Sequence, residues 1–213
     1  MISCNTVIYN CLSFFLSGKT ETCGKKIDLA IILDASASID EDNFNLAKDF
    51  AKRLLKRFTI SPDNSRVSIV SYSQHINIQS RFSDDEDERK LEDILRNTFY
   101  EGSSTGTGKT IKAVNFEVFS SKFGSRIGNP DAKQVTVVVT DGFSGIGPEF
   151  IKKRADAIKA RGIEMFAIGI TQRMNDEELT ALSSKPVKNH FLRLTDNNAM
   201  KGIVDHIVKE ICK

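Results

Sequence analysis

The amino-acid sequence predicts an α/β fold: a doubly wound, mostly parallel six-stranded sheet with one antiparallel edge strand and helices on both faces. Two near-continuous apolar runs, Ile27–Leu33 (IDLAIIL) and Gln134–Thr140 (QVTVVVT), are typical of strands buried on both faces. Segments with helical periodicity alternate with the strands, which favours parallel pairing. The 213 residues are 40% hydrophobic and 27% charged, and they show no internal repeat. We therefore expect one domain with one sheet.

The first half of the chain supplies three strands and two helices. After the first strand, apolar residues recur at helical spacing from Phe44 to Phe58. Two short strand patterns, Val67–Tyr72 and His75–Gln79, flank Ser73-Gln74, which predicts a hairpin and hence an antiparallel edge. The acidic run Asp84–Asp87 follows a serine, and the helix dipole favours acids at a helix start. We interpret this run as a helix end and not as a calcium loop.

The second half of the chain continues the alternation. Gly106–Phe119 has helical periodicity, and Pro148 stands at a first-turn position that tolerates proline. The elements predicted after the second buried strand are a helix at Pro148–Ala160, a strand at Glu164–Ile170, a helix at Asp176–Ser183, a strand at His190–Leu194 and a helix at Asn197–Ile211.

Residues 1–22 differ from the rest of the chain. They carry no charged side chain before Lys19, and Val7–Leu16 is mainly apolar, with Ser17-Gly18 directly after it. This pattern resembles the apolar region and small-residue cleavage site of a secretory signal, without its positively charged start. We expect a signal peptide or a disordered N-terminal segment at residues 1–22, with a truncated start as the rival, and the folded domain at residues 23–213.

The charge balance argues against two classes of partner. With 30 basic and 28 acidic side chains the net charge is +2, which gives no general reason to bind nucleic acid or an anionic membrane. No apolar run reaches the roughly 18 residues that cross a bilayer. We therefore predict neither nucleic-acid binding nor membrane insertion. The basic stretch Lys152–Arg161 is interpreted as a solvated helix face, with contact to heparin or collagen as the alternative.

The four cysteines divide into two pairs. Cys4 and Cys11 lie within residues 1–22, whereas Cys23 precedes the first strand and Cys212 is the penultimate residue. Because domain termini often lie close together, a Cys23–Cys212 disulfide is expected, with two unrelated free thiols as the alternative. A disulfide would place the chain in an oxidising compartment.

Oxygen-bearing side chains follow both buried strands. Asp34, Ser36 and Ser38 come directly after the first strand as DASAS, and Asp141 follows the second. In an open α/β sheet, ligands bind at the carboxyl ends of strands where the strand order reverses. A third loop offers Thr105 close to two glycines, which let the backbone approach closely. Hard oxygen donors without His or Cys predict Mg²⁺ or Mn²⁺, with Ca²⁺ a poorer fit.

These motifs carry a family resemblance. The DASAS segment, the Thr105 of SSTGTGKT and the TDG that follows a valine strand resemble the metal-ion-dependent adhesion site of von Willebrand factor type A domains. The likeness extends over about residues 23–212, and the sequence looks most like the A domains of matrix proteins such as matrilins and collagen VI. It implies a Rossmann-like fold. Its implied metal ligands are Asp34, Ser36, Ser38, Thr105 and Asp141.

The same resemblance implies a function. It is that of a secreted, non-enzymatic adhesion module of the extracellular matrix. A metal ion, Mg²⁺ or Mn²⁺, would bridge the module to an acidic side chain of a protein partner, such as collagen or another matrix protein. The alternative is an intracellular A domain that serves as a scaffold in a multiprotein complex. Oxidation state separates the two, because a disulfide favours the extracellular interpretation.

An enzymatic alternative rests on a different motif. Ser103–Thr110 (SSTGTGKT) imitates a phosphate-binding P-loop, and the valine strand ending in Asp141 imitates the acid that holds magnesium. However, Ser103 stands where the motif has its first glycine, and the preceding segment Leu91–Thr98 is predicted to be a helix where a P-loop needs a strand. No nucleophile–base pair stands out, since His75, His190 and His206 are scattered along the chain. We therefore predict that the protein is not an enzyme.

Overall fold

The computed structural model describes residues 22–84 and 86–213. The predicted signal peptide or disordered segment at residues 1–22 includes Cys4 and Cys11. Apart from Thr22, it lies outside the described residues. Six strands form one sheet in the order β3-β2-β1-β4-β5-β6. The strands are β1 (Ile27–Asp34), β2 (Ser65–Tyr72), β3 (Ile76–Ser80), β4 (Lys133–Thr140), β5 (Glu164–Ile170) and β6 (Phe191–Leu194).

The sheet has the predicted topology. β1 pairs in parallel with both β2 and β4, and β5 and β6 continue the parallel part. β3 pairs antiparallel with β2 and forms the edge, which confirms the predicted hairpin. The chain therefore leaves β1 in one direction to β2 and β3, and it returns to the other side of β1 for β4. This reversal lies between β1 and β4.

Helices cover both faces of the sheet. They are α1 (Glu41–Leu55), α2 (Glu88–Asn97), α3 (Thr107–Ala113), α4 (Pro148–Lys159), α5 (Asp176–Leu182), α6 (Val187–His190) and α7 (Asn197–Ile211). The acidic run does precede a helix start, because the Asp87 side chain caps α2 by accepting a hydrogen bond from the Lys90 backbone N–H.

Alternation along β1 divides its side chains between two cores. Leu29, Ile31 and Leu33 face α1, α2 and α7, whereas Ala30 and Ile32 face α3, α4 and α5. Burial on both faces explains why β1 is apolar at nearly every position, as in other central parallel strands. This packing positions the carboxyl end of β1 at one rim of the sheet.

Two predicted elements differ in the structure. The helix predicted at residues 106–119 is α3 followed by a π-helical turn at Val114–Val118. Arg161 donates hydrogen bonds to the carbonyl oxygens of Asn115 and Phe119, so side-chain donors replace part of the regular backbone pattern there. His190 was predicted to begin the last strand, but it ends the short helix α6. The helix was missed because four residues are too few to show a helical period in the sequence.

The two ends of the domain meet on the side opposite to the carboxyl ends of β1 and β4. The structure contains the expected disulfide between Cys23 and Cys212, whose Cα atoms are 6.1 Å apart. Within residues 22–84 and 86–213, none of the helices combines the length and apolar character that crossing a bilayer requires.

Candidate metal site

The carboxyl ends of β1 and β4 lie side by side at the point where the strand order reverses. Asp34 is the last residue of β1, and Asp141 directly follows β4. Both aspartates are buried, each with 1% of its surface exposed. Such a reversal point is where open α/β sheets bind ligands, so the strand ends occupy the position that the sequence predicted.

Asp34 is held in place by three hydrogen bonds. The backbone N–H of Ser36 donates to its Oδ1 atom at 3.0 Å. The hydroxyls of Tyr72 and Thr140 donate to its Oδ2 atom at 2.9 Å and 2.6 Å. Burial raises the pKa of Asp34, the hydrogen bonds from Ser36 and Thr140 lower it, and the nearby charge of Asp141 raises it again, so that the net shift is upward. Asp34 is therefore a pre-oriented carboxylate beside a second carboxylate.

Two serine hydroxyls project from the loop after β1. Ser36 is buried and Ser38 is exposed, and their Oγ atoms are 3.2 Å apart. The loop is fixed to the neighbouring loop, because the Ala37 N–H donates to the Ser103 carbonyl oxygen at 2.9 Å. The predicted donors of the DASAS segment are thus on one short, anchored turn next to Asp34.

Thr105 lies in the loop between α2 and α3, half-buried at the same rim. Both neighbours of Thr105 are anchored to Ser73 of the β2–β3 turn. The Ser73 hydroxyl donates to the Ser104 carbonyl oxygen at 3.0 Å, and Gly106 packs so closely that an added Cβ would lie 2.6 Å from the Ser73 carbonyl oxygen. Backbone contacts therefore hold the Thr105 loop against the rim.

Asp141 belongs to the loop after β4, and hydrogen bonds hold this loop in place. Its Oδ1 atom accepts a hydrogen bond from the Phe143 N–H at 3.0 Å, and its carbonyl oxygen accepts one from the Asn175 N–H at 2.8 Å. The buried carboxylate of Glu178 accepts a further bond from the Ser144 N–H at 3.1 Å. Helix α5 therefore determines where the loop after β4 runs.

The electrostatics of the rim fit a divalent cation. Among the ion pairs of the described residues, none joins a lysine, arginine or histidine to Asp34 or Asp141, although both carboxylates are buried. No cluster of three or more His, Cys, Asp or Glu side chains is present in the same part of the chain. The donor set is instead two carboxylates with hydroxyls, which suits hard cations such as Mg²⁺ and Mn²⁺.

Comparison with known proteins assigns the chain to a protein family. The family model for the von Willebrand factor type A domain matches residues 28–206. The chain belongs to the von Willebrand factor type A family. The likeness that the sequence motifs suggested is thereby confirmed, and the type A fold accounts for the whole described sheet.

Individual relatives agree with this assignment. Matrilin-1 of Mus musculus is 28% identical over 207 residues, covering 93% of this chain and 40% of the relative. The solved structure of proximal thread matrix protein 1 from the mussel byssus is 26% identical, with a TM-score of 0.79, and covers 91% of this chain and 49% of that one. A second structure of that mussel protein, with a zinc-occupied MIDAS motif, has a TM-score of 0.78 at 25% identity and covers 90% and 49%. The type A chain thus spans less than half the length of these relatives.

The type A fold also decides against the P-loop interpretation. The segment before SSTGTGKT is helix α2, where a P-loop needs a strand, and Lys109 of the motif is exposed on α3. The first half of SSTGTGKT is instead the loop that contains Thr105, and the second half begins helix α3.

Three side chains with a role at the rim were missed in the sequence. Tyr72 and Thr140 bond to Asp34, and the Thr107 hydroxyl lies 3.2 Å from the Tyr72 hydroxyl. The signal that could have identified Tyr72 and Thr140 is their position, since each is a hydroxyl-bearing residue at the last position of its strand.

Proposed function

We propose that this type A domain is a non-enzymatic, divalent-metal-dependent protein-binding module of the extracellular matrix. Asp34, Ser36, Ser38, Thr105 and Asp141 would hold Mg²⁺ or Mn²⁺. A carboxylate of a protein partner, such as collagen or another matrix protein, would complete the coordination. The ion supplies an electrophilic centre for that carboxylate.

One observation carries the proposal. Two buried carboxylates, Asp34 at the end of β1 and Asp141 directly after β4, have no basic partner among the described residues. Buried charges in proteins are ordinarily paired or coordinate a metal. Three hydrogen bonds already orient Asp34, and such support of a ligand's geometry is typical of metal sites.

The proposed ligands differ in the charge that they bring to the site. Asp34 and Asp141 provide negative charge, and the neutral hydroxyls of Ser36, Ser38 and Thr105 provide donors without adding charge. Two carboxylates balance a divalent cation but leave no excess negative charge to repel an acidic partner. The exposed loop residues Phe143 and Ile146 border the rim and would select among partners.

An extracellular location is supported by the disulfide and by the relatives. Cys23 and Cys212 are joined, and such bonds persist in oxidising compartments. The similarity of the chain to matrilin-1 and to the mussel thread matrix protein supports a role in the extracellular matrix. We propose that residues 1–22 include the secretory signal. Free thiols at Cys23 and Cys212 would favour the intracellular scaffold alternative.

The test measures metal binding directly. Isothermal titration of the purified domain with MgCl₂ and with MnCl₂ should show one site, which Asp34→Ala and Thr105→Ala should each abolish or weaken strongly. Asp131→Ala and Thr195→Ala are the matched controls, because both residues are exposed and distant in sequence from the rim loops. Retention of the parent's metal affinity by both rim variants would show that the site is elsewhere. Binding to matrix extract should then depend on the metal and disappear in EDTA.

A further inference from the structure

A groove with exposed aromatic walls lies between the π-helical turn after α3 and helix α4. Phe116 and Phe150 line it, with 67% and 63% of their surfaces exposed. The groove has a volume of about 350 Å³. Two phenylalanines this exposed on one groove are unfavourable in water, and exposed apolar patches of this kind commonly mark interaction sites.

The edges of the groove are basic. Lys112, Lys153 and Arg154 line it, and no carboxylate is among the described residues that do. None of these three cations forms an ion pair with a described residue, whereas Lys152, one position from Lys153, is paired with Asp156 at 2.6 Å. The groove therefore combines apolar walls with uncompensated positive charge, and its ideal occupant is apolar and acidic.

The groove is continuous with the loop that follows Asp141. Ile146 of this loop and Arg154 of α4 both pack over Gly108, since a Cβ added there would lie 2.5 Å from Ile146 Cδ1 and 3.4 Å from Arg154 Nε. Ile146 is itself 43% exposed. The groove and the loop after β4 therefore meet at Gly108.

We propose that this groove binds an acidic segment of a partner protein, with an aromatic or aliphatic side chain seated between Phe116 and Phe150. The contact needs no metal, so it goes beyond the function proposed for the rim. An apolar anchor uses the two phenylalanines, and flanking Asp or Glu side chains pair with Lys112, Lys153 and Arg154. A sulfated polysaccharide would use the cations but leave both phenylalanines exposed, and for this reason we favour a peptide.

The experiment selects a random dodecapeptide phage library on the immobilised full chain in EDTA. The enriched peptides should be acidic and should contain an aromatic or large aliphatic residue. Synthetic copies, measured by fluorescence anisotropy, should bind Phe116→Ser/Phe150→Ser and Lys112→Glu/Lys153→Glu about ten-fold or more weakly than the parent. The matched controls are Phe99→Ser, which is 63% exposed outside the groove, and Lys122→Glu/Lys209→Glu, which makes the same charge change elsewhere.

The outcomes separate the groove from the rim. The selection and the binding measurements are made in EDTA, so failure of the metal proposal leaves this one standing. The groove proposal is overturned if no acidic-apolar peptides are enriched, or if the peptides bind the two groove variants and the parent equally. It is also overturned if heparin fragments bind through Lys112 and Lys153 with no effect of the phenylalanine substitutions, which would identify a polysaccharide site. Thermal unfolding of each variant verifies that it is folded, as expected for exposed positions.

Discussion

The hydroxyl of Thr140 donates a 2.6 Å hydrogen bond to Asp34 Oδ2, which joins the carboxyl ends of β4 and β1. The two residues are 106 positions apart in the chain, and both are buried. The same Thr140 oxygen accepts a bond from the Gly142 N–H at 3.1 Å, so it links the two aspartate loops at the centre of the rim. Thr140 thus positions Asp34 without being a proposed ligand.

Thr140→Val tests this positioning. The substitution keeps the shape of the side chain but leaves a buried carboxylate oxygen with one donor fewer, at a cost of about 1–3 kcal/mol in the free energy of unfolding. We also expect Mg²⁺ affinity to fall about ten-fold, as is common when a supporting hydrogen bond to a ligand is lost. Urea unfolding and metal titration measure the two effects.

Thr136→Val on the same strand is the control. Thr136 is fully buried, but its hydroxyl has no hydrogen-bond partner. The valine variant should therefore be as stable as the parent or more stable, with unchanged metal affinity, because no bond is lost and no polar atom remains buried. Equal losses in both variants would contradict a specific role of the Thr140 hydroxyl.

Gly106→Ala tests whether the Thr105 loop depends on its close contact with the β2–β3 turn. The new Cβ would lie 2.6 Å from the Ser73 carbonyl oxygen, so the loop must move. We expect a lower melting temperature and metal affinity weakened about ten-fold. Gly202→Ala in α7 is the control, since its Cβ would meet open space and alanine favours helix by about 1 kcal/mol. Unchanged metal affinity in Gly106→Ala would argue against Thr105 as a ligand.

Arg126→Met should be among the most destabilising single changes in the domain. Arg126 pairs with the fully buried Asp28 at 2.8 Å and also donates to the carbonyl oxygens of Ile27 and Asn64. Its removal leaves Asp28 as an unpaired buried charge, which costs about 3–5 kcal/mol. The control Arg193→Met breaks a half-exposed pair with Asp176 and should cost about 0–1 kcal/mol. Chemical denaturation distinguishes the two, and equal losses would contradict the role of burial.

The Cys23–Cys212 disulfide should contribute strongly to stability. It closes a loop with a sequence separation of 189, for which the chain-entropy model gives about 5 kcal/mol. Cys23→Ser/Cys212→Ser should therefore melt at a much lower temperature than the parent under oxidising conditions. Addition of a reductant should bring the parent down to the level of the variant. A parent that is indifferent to reductant would show that the bond contributes nothing.

The ion pair between His190 and Glu164 predicts a defined pH dependence. Burial alone would lower the pKa of His190, but its 2.9 Å contact with Glu164 and its bond to the Pro186 carbonyl oxygen outweigh that effect, so the pKa is raised above 6.5. Burial likewise opposes the negative charge of Glu164, yet the bonds from His190 and Lys133 lower its pKa below 4.5. The pair is therefore fully formed between about pH 4.5 and 6.5.

The histidine stabilises the fold below pH 6.5, and this contribution is lost as the pH rises through its raised pKa. The glutamate stabilises the fold above pH 4.5, and its contribution is lost as the pH falls through its lowered pKa. The stability difference between the parent and His190→Gln should thus be largest between these limits, at about 1–3 kcal/mol. His75→Gln is the control and should change the stability little, because the contact of this exposed histidine with Glu101 is open to solvent. A difference independent of pH would contradict the ionic role.

Much of the fold could be predicted because its signals are local. The apolar runs at β1 and β4 identify doubly buried strands, and the hairpin at Ser73-Gln74 identifies the antiparallel edge. Asp34 and Asp141 could be placed at one rim because parallel neighbouring strands end on the same side of a sheet. The π-helical turn after α3 was missed because it depends on hydrogen bonds from the distant Arg161. Helix α6 was missed because it is too short to give a periodic signal.

By itself the sequence determined the order of strands and helices, the loops that carry oxygen donors and the cysteines that flank the domain. Only the tertiary structure decided that Thr140 and Tyr72 hold Asp34, that Arg126 neutralises Asp28 from 98 positions away, and that Phe116 and Phe150 share a basic groove. The physical reason is that periodicity and capping depend on residues within a few positions of one another. Hydrogen bonds and packing between distant segments depend on the closed sheet that brings those segments together.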